Sequence, residues 1–243
     1  MGAEATRPAF YALRSGGWRD YVTLLHLPYT AWHLSYVAIG AALSSAFDWA
    51  RLWPTLLAFG LAVGIGAHAL DELNGRPLGT RIPRGVLVAL AVLSVAGAVA
   101  IGLIGIVTVD AWLAVFVATG AFIVVAYNLE SFRGRFHSDF WFAAAWGAFP
   151  LLTAYFATAE TIRAAAIAGA VFAFATSLAQ RRLSTQVRDF RRRVASVSGM
   201  LERRDGTAEP LTTERLMAPA EGALQALTAA MVAVAVALVI MRM

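Results

Sequence analysis

Seven apolar stretches, separated by loops that hold most of the arginines, determine what this 243-residue chain can fold into. A helix needs about 20 predominantly apolar residues to cross a bilayer, and each stretch is close to that length. The stretches are residues 21–44, 52–71, 85–107, 110–128, 139–158, 162–180 and 221–241. We therefore expect an all-α membrane protein, a bundle of about seven transmembrane helices.

The composition excludes several classes of function. Only 14% of the residues are charged, whereas soluble domains have about 25%, and this argues against an ordinary soluble enzyme. The chain contains no lysine, which rules out retinal and pyridoxal Schiff bases. It also contains no cysteine, so disulfides, thiolate metal sites and thiol catalysis are excluded.

The distribution of arginine predicts the orientation in the membrane. Seventeen of the 20 basic residues, all arginines, fall in one set of alternating loops, and the opposite set holds only Arg51, Arg163 and Arg242. The positive-inside rule then predicts a multi-pass cell-membrane protein with a cytoplasmic N-terminus and an external C-terminus. Because the arginines lie between apolar runs, the basic character indicates membrane topology and not nucleic-acid binding.

These features divide the chain into four parts. We expect a cytoplasmic N-terminal segment over residues 1–20, a core of six spans over 21–183, a cytoplasmic basic loop over 184–220 and a final span over 221–243. Asp205-Gly206 predicts a turn in the loop, and Thr212 or Thr213 is a candidate cap for the last helix.

The basic loop also contains apolar residues at three- and four-residue steps. They are Val187, Phe190, Val194, Val197 and Leu201, with arginines between them. This pattern predicts a basic amphipathic helix on the inner leaflet. The alternative is a solvated, charged connector.

Polar side chains at membrane depth are costly, so each needs a partner or a cavity. His26, Tyr29, His33 and Tyr36 follow one another at steps of three, four and three residues, which places them on one helical face. Such a stripe lines a polar pocket or forms a hydrogen-bonded packing face between helices. The residues alone leave both interpretations open.

A second polar group ends the second apolar stretch. His68, Asp71 and Glu72 lie close together there, and their oxygens suit a hard cation such as Mg²⁺. The alternative is that Asp71 pairs with Arg76 or Arg81. Near the end of the sixth stretch, another polar stripe follows at four-residue steps: Thr176, Gln180, Ser184 and Arg188.

Three motifs resemble the UbiA-type intramembrane prenyltransferases. The resemblance covers about residues 20–200, and its motifs occur in the family's order. The stretch from His68 to Pro83, His-Ala-Leu-Asp-Glu-Leu-Asn-Gly-Arg-Pro-Leu-Gly-Thr-Arg-Ile-Pro, is similar to the family's first aspartate motif. Tyr127-Asn128-Leu129 and the segment from Trp146 to Tyr155 are similar to its fourth and fifth helices. The charged end of the sixth stretch, from Gln180 to Arg193, falls where the family has its second aspartate motif.

The resemblance implies a UbiA-like bundle that transfers a prenyl group from a prenyl diphosphate to an acceptor, in a lipid-open cavity facing the cytoplasm. It implies Asp71 as the catalytic or metal-binding carboxylate, supported by His68 and Glu72, with Mg²⁺ at Asp71 and Glu72. The expected phosphate-binding residues are Arg76, Arg81, Gln180, Arg181, Arg182, Ser184 and Arg188. The expected pocket residues are His26, Tyr29, His33, Tyr127 and Asn128.

Departures from the family pattern favour a second hypothesis. Ala67 and Gly75 occupy the positions of the flanking Asn and Asp in the first motif, and Gln180 and Ser184 replace an acidic pair in the second. Seven spans also fall short of the family's nine, which leaves an apolar flank for a homo-oligomer or a partner membrane protein. The alternative is therefore a catalytically degenerate prenyl-lipid-binding or scaffold protein. A small-solute or proton transporter is a third hypothesis, but the spans contain no continuous relay.

Overall fold

The computed structural model describes residues 7–243, which form a helical bundle with one short hairpin. The helices on the first half are α1 (Trp18–Leu24), α2 (Leu27–Leu43), α3 (Trp49–Phe59), π1 (Gly60–Ala67), α4 (His68–Leu73), α5 (Arg84–Thr108) and α6 (Leu113–Asn128). The second half contains α7 (Asp139–Ala143), π2 (Ala144–Ala148), α8 (Phe149–Ala159), α9 (Ala164–Arg193), β1 (Met200–Glu202), β2 (Ala208–Pro210) and α10 (Thr213–Ile240). The segments π1 and π2 are π-helical and continuous with the α-helices on either side of them.

Within the described residues, five helices are long and apolar enough to cross a membrane. They are Trp49–Leu73, Arg84–Thr108, Asp139–Ala159, Ala164–Arg193 and Thr213–Ile240. They coincide with five of the seven stretches expected from the sequence, and the all-helical, membrane-type architecture is confirmed to that extent. The other two stretches form shorter helices, α2 with 17 residues and α6 with 16.

The first stretch is divided because His26 adopts a left-handed backbone conformation. Its φ of 45° separates α1 from α2, and such a conformation is uncommon for residues other than glycine. Pro28 lies in the first turn of α2, where its missing amide hydrogen costs nothing. The expected span over 21–44 is therefore two helices, and His26 lies at the junction and not on the face of α2.

The two sets of loops lie at opposite ends of the bundle. At the arginine-rich end, the Arg81 amide donates to Asp20 over 2.8 Å, and Arg191 forms a 2.6 Å ion pair with Glu221. At the other end, Arg51 pairs with Glu160 over 2.6 Å. Contacts within each of the two sets of loops are therefore present in the fold.

Helix α2 packs at the centre of the bundle. Trp32 and Tyr36 are fully buried, and they pack in one cluster with Leu151 of α8. A Cβ on Gly40 would lie only 2.2 Å from the carbonyl oxygen of Leu151, so this close helix contact requires glycine. The Tyr36 hydroxyl lies 2.7 Å from that of Thr176 on α9. Tyr36 therefore serves the packing face, which was one of the two interpretations of its stripe.

The expected amphipathic helix in the basic loop ends earlier than predicted. Helix α9 continues only to Arg193, and Val194, Val197 and Leu201 lie beyond it. Beyond the helix, the chain forms the antiparallel hairpin of β1 and β2, in which Leu201 pairs with Glu209. Val187 is buried against α10 instead of facing lipid.

The expected turn and helix cap near this hairpin are confirmed. The chain turns at Asp205-Gly206 between β1 and β2. The Thr212 hydroxyl caps α10 by accepting a hydrogen bond from the Arg215 amide over 3.2 Å. Arg215 also forms an ion pair with Glu209 of β2, so the hairpin is attached to the start of α10.

Candidate functional site

A polar cavity of about 100 Å³ lies at the arginine-rich end of the bundle. Its walls come from α2, π1, α4, α6, α7, π2 and α9, and residues 8–11 contribute to its lining. Eleven of the fifteen residues singled out in the sequence line it: His26, Tyr29, His33, His68, Asp71, Tyr127, Asn128, Gln180, Arg181, Ser184 and Arg188. The fold therefore brings together residues that are up to 162 positions apart in the sequence.

Glu72 lies outside this cavity and stabilises a loop. Its side chain is fully buried, and both carboxylate oxygens accept hydrogen bonds from residues 78–80. Successive residues on an α-helix point about 100° apart, so Asp71 faces the cavity while Glu72 faces the loop. The structure thus gives Glu72 a different role from the catalytic and metal-binding one expected for it.

Three of the expected phosphate-binding arginines also lie outside the cavity lining. Arg76 donates to the carbonyl oxygens of Thr80 and Ile82 over 2.6 and 3.0 Å, which fixes the loop between α4 and α5. The side chains of Arg81 and Arg182 are exposed. Arg76 and Arg81 lie between α4 and α5, whereas Arg182 lies within α9, and none of the three lines the cavity.

The donor set does not fit the Mg²⁺ site expected at Asp71 and Glu72. Among the described residues, no group of three or more His, Asp or Glu side chains is placed to hold a metal ion. Asp71 is the one carboxylate in the cavity lining, and Glu72 is engaged by the loop. The two carboxylates expected to share the ion are therefore divided between the cavity and the loop.

Three buried polar atoms in the cavity lining have no hydrogen-bond partner. They are Nε2 of His26, the hydroxyl of Tyr127 and Oε1 of Gln180. Leaving a buried polar atom unpaired costs about 1–3 kcal/mol, and such atoms are rare in folded proteins. Their convergence on one cavity indicates that this space is built to receive a polar group.

Two of the histidines in the cavity wall, His33 and His68, are attached to the two π-helical segments. Nδ1 of His33 donates to the carbonyl oxygen of Trp146 in π2 over 2.8 Å, and Nδ1 of His68 donates to that of Gly64 in π1 over 3.2 Å. Because a carbonyl oxygen only accepts, each neutral ring carries its hydrogen on Nδ1. His26 stacks on His68 with their ring centroids 3.9 Å apart.

Arginines give the polar cavity an excess of positive charge. Arg181 is positioned by Asp139 over 3.3 Å, by Nε2 of His137 over 3.4 Å and by the ring of Phe142 at 5.3 Å. Arg188 donates to the neighbouring Thr185 hydroxyl. The cavity lining thus contains three guanidinium groups, those of Arg181, Arg188 and Arg192, for a single carboxylate.

Arg192 and His137 are among the lining residues that were not singled out in the sequence. Arg192 continues the four-residue steps of Gln180, Ser184 and Arg188, so that spacing was a usable signal for it. His137 lies in the loop before α7, and its place against Tyr127, with ring centroids 4.5 Å apart, has no local pattern. Its Nδ1 donates to the Tyr127 carbonyl oxygen over 3.1 Å.

A second, larger cavity adjoins the first. It has a volume of about 420 Å³ and lies among α3, π1, α5, α6 and α8. Its lining is almost wholly apolar and includes Ala98, Gly102 and Ala121. Val63 of π1 and Trp146 of π2 line both cavities, so each π-helical segment contributes one residue to the wall between them.

Comparison with known proteins gives no relative for this chain. No family model, no curated protein and no solved structure matches it. The functional interpretation therefore depends on the sequence motifs and on the two adjoining cavities.

Proposed function

We propose that this protein is a UbiA-like prenyltransferase that moves a prenyl group from an isoprenoid diphosphate to an acceptor within the membrane. In this proposal the headgroup occupies the polar cavity and the prenyl chain occupies the apolar one. The arginine-rich end faces the cytoplasm, in keeping with the positive-inside rule. The observation that carries the proposal is that the polar cavity and the apolar cavity share one wall. The polar cavity is cationic and contains three buried polar atoms without a hydrogen-bond partner.

The charges of the polar cavity support an anionic headgroup. Guanidinium groups bind phosphate oxygens in a bidentate manner and stay charged in a partly buried setting. Arg188 and Arg192 lie on the same face of α9, four residues apart, and both line the cavity. A phosphate between them would compensate the excess positive charge that the single carboxylate of Asp71 leaves.

The size of the apolar cavity supports an isoprenoid chain. An apolar protein cavity of about 150 Å³ holds one benzene molecule of six carbons. The apolar cavity here has about 420 Å³, so on the same scale it holds a chain of roughly 15 to 20 carbons. That length corresponds to three or four isoprene units, and small residues such as Ala98 and Ala121 leave the space open.

The cavity residues suggest how transfer would proceed. The bond between the first prenyl carbon and the diphosphate oxygen breaks, and the leaving diphosphate takes the electron pair. Arg188 and Arg192 stabilise the charge that develops on it. The acceptor then forms a bond to the prenyl carbon and loses a proton, for which Asp71 is the available base in the cavity.

One observation favours a second candidate, a prenyl-lipid-binding protein without turnover. The buried carboxylate of Glu72 is committed to the loop through three hydrogen bonds. Asp71 is then left as the single carboxylate lining the polar cavity among the residues that the structure describes. The same cavities would retain an anionic prenyl lipid, while ionisation of a diphosphate would lack the metal-binding carboxylates.

Binding is tested with purified protein and radiolabelled farnesyl and geranylgeranyl diphosphate. We expect Arg188→Gln to weaken retention about tenfold, because one charge-assisted contact contributes about 1.5–3 kcal/mol. Arg182→Gln is the matched control, since this arginine of the same helix is exposed and outside the cavity. Equal retention by both variants would contradict the proposed headgroup site.

Turnover is tested by measuring release of diphosphate from the same substrates, with Mg²⁺ and with a chelator. A transferase releases diphosphate when an acceptor extract is present, and Asp71→Asn slows formation of the prenylated product while substrate remains bound. Binding with no release under any of these conditions identifies the lipid-binding protein. Absence of binding to either diphosphate rejects both candidates.

A further inference from the structure

We infer that residues 7–12 form a flap that closes the polar cavity at the arginine-rich end and contributes Tyr11 to it. Pro8, Ala9, Phe10 and Tyr11 all belong to the cavity lining, although they precede the first helix of the bundle. Ala9 and Ala12 are buried. The cavity is therefore completed by a segment that belongs to none of the spans.

Aromatic contacts hold the flap against the cavity residues. The Tyr11 hydroxyl lies 3.0 Å from Nδ1 of His26. The Tyr11 ring also meets the ring of Tyr29 edge to face, with centroids 5.4 Å apart, and Phe10 packs on Tyr11 at 5.2 Å. Opening the flap would break these contacts and expose both His26 and Tyr29.

Two arginines of α9 hold the outer part of the flap. Arg191 donates to the carbonyl oxygen of Arg7, and Arg192 donates to that of Pro8, each over 3.3 Å. Arg192 also lines the polar cavity. Arg192 is therefore the residue that connects the flap to the inside of the cavity, because its guanidinium has five N–H donors and its Nε uses one of them on Pro8.

The chain after the flap is anchored, so the motion does not extend beyond residue 12 toward the bundle. The Leu13 amide donates to the Thr23 hydroxyl over 3.0 Å. Asp20 is buried and accepts from the amides of Gly16 and Arg81, each over 2.8 Å. The flap consequently pivots near Leu13 while the rest of the N-terminal segment stays attached to the bundle.

The absence of native cysteine allows a direct accessibility test in the full chain. Ser184 lines the cavity and is 4% exposed, whereas the next residue on α9, Thr185, is exposed. Single Ser184→Cys and Thr185→Cys variants are labelled with a polar maleimide in detergent. With the flap closed, we expect the cysteine at 184 to react at least about tenfold more slowly than that at 185.

The flap is then loosened in each reporter background. We expect Tyr11→Ala to raise labelling at 184 about tenfold and to leave labelling at 185 unchanged. Tyr21→Ala is the matched control, since this tyrosine is exposed at the start of the bundle. Arg192→Gln, which keeps the aromatic contacts, is expected to give a smaller increase and guards against a folding defect in Tyr11→Ala.

Two results would overturn the flap. One is equal labelling at 184 and 185 in the otherwise unchanged protein, which would show that the cavity is already open. The other is labelling at 184 that neither Tyr11→Ala nor Arg192→Gln increases. Both readouts are independent of prenyl substrates, so the flap and the proposed transferase fail or succeed separately.

Discussion

The amide and the hydroxyl of Thr80 both donate to one carboxylate oxygen of Glu72, each over 2.8 Å. The second oxygen of Glu72 accepts from the Leu78 amide over 3.0 Å. The neighbouring Asp71 instead lines the polar cavity. Two adjacent carboxylates thus have separate tasks, one in holding the loop between α4 and α5 and one in the candidate site.

Substitution of these two residues should therefore give opposite results. We expect Glu72→Gln to lower the free energy of unfolding by about 1–3 kcal/mol, because the amide nitrogen faces a backbone donor that then lacks an acceptor. Asp71→Asn should leave stability nearly unchanged and affect the cavity alone. Thermal unfolding in detergent measures the first effect, and formation of the prenylated product measures the second. Equal destabilisation by both variants would argue against this division.

The apolar cavity should determine which chain lengths bind. Ala98→Trp fills part of it, so we expect geranylgeranyl diphosphate to lose more affinity than geranyl diphosphate, by a factor of about ten, since burial of each CH₂ contributes about 0.8 kcal/mol. Leu93→Trp on the same helix is the control, because Leu93 is 71% exposed on the outer surface. An equal loss of affinity for both diphosphates would indicate that the prenyl chain binds outside the apolar cavity.

The proposed orientation is testable with single cysteines in intact cells. Glu202 lies exposed in the hairpin at the arginine-rich end, and Ala111 lies exposed in the turn between α5 and α6 at the other end. We expect an impermeant maleimide to label Ala111→Cys in cells and Glu202→Cys only in inverted vesicles. The reverse pattern would contradict the positive-inside assignment.

The hairpin turn should loosen in acid. The hydroxyl and the amide of Thr207 donate to Asp205 over 2.7 and 3.0 Å, and these hydrogen bonds hold the pKa of Asp205 below its ordinary value. A lowered pKa means that the turn is stabilised at neutral pH and that this contribution is lost as pH falls through the lowered value. The amide shift of Thr207 in an NMR titration measures the midpoint. A midpoint at or above that of an unperturbed aspartate would contradict the assignment, and Asp205→Asn should abolish the titration.

Much of the candidate site could be predicted because the relevant signals are local. Side chains four residues apart share a helical face, and this spacing identified Gln180, Ser184 and Arg188 on α9. Asp71 and Tyr127 come near the ends of helices that terminate at the arginine-rich end. Their meeting follows from the alternation of loops that the arginine distribution already indicated.

The remaining features depend on contacts that are distant in sequence. The left-handed conformation of His26 could not be predicted, because the position holds neither glycine nor asparagine. Tertiary contacts of His26 with Tyr11 and His68 accompany this conformation. Glu72 was expected to bind a metal ion because it is adjacent in sequence to Asp71. Its hydrogen-bond partners are instead Leu78 and Thr80. Whether an arginine faces a cavity or a loop carbonyl is likewise decided by tertiary structure.

The shared wall between the two cavities depends on the number of residues in the π-helical turns as well as on the identity of their side chains. A π-helical turn closes its hydrogen bonds over one more residue than the α-helical turn it replaces. Val63 and Trp146, which line both the polar and the apolar cavity, both lie in such turns. Deleting a single residue from either turn would restore an ordinary helix while preserving the facing of everything beyond it. The partition is thus adjustable by insertion or deletion, a route to altered specificity that a survey of point substitutions would miss.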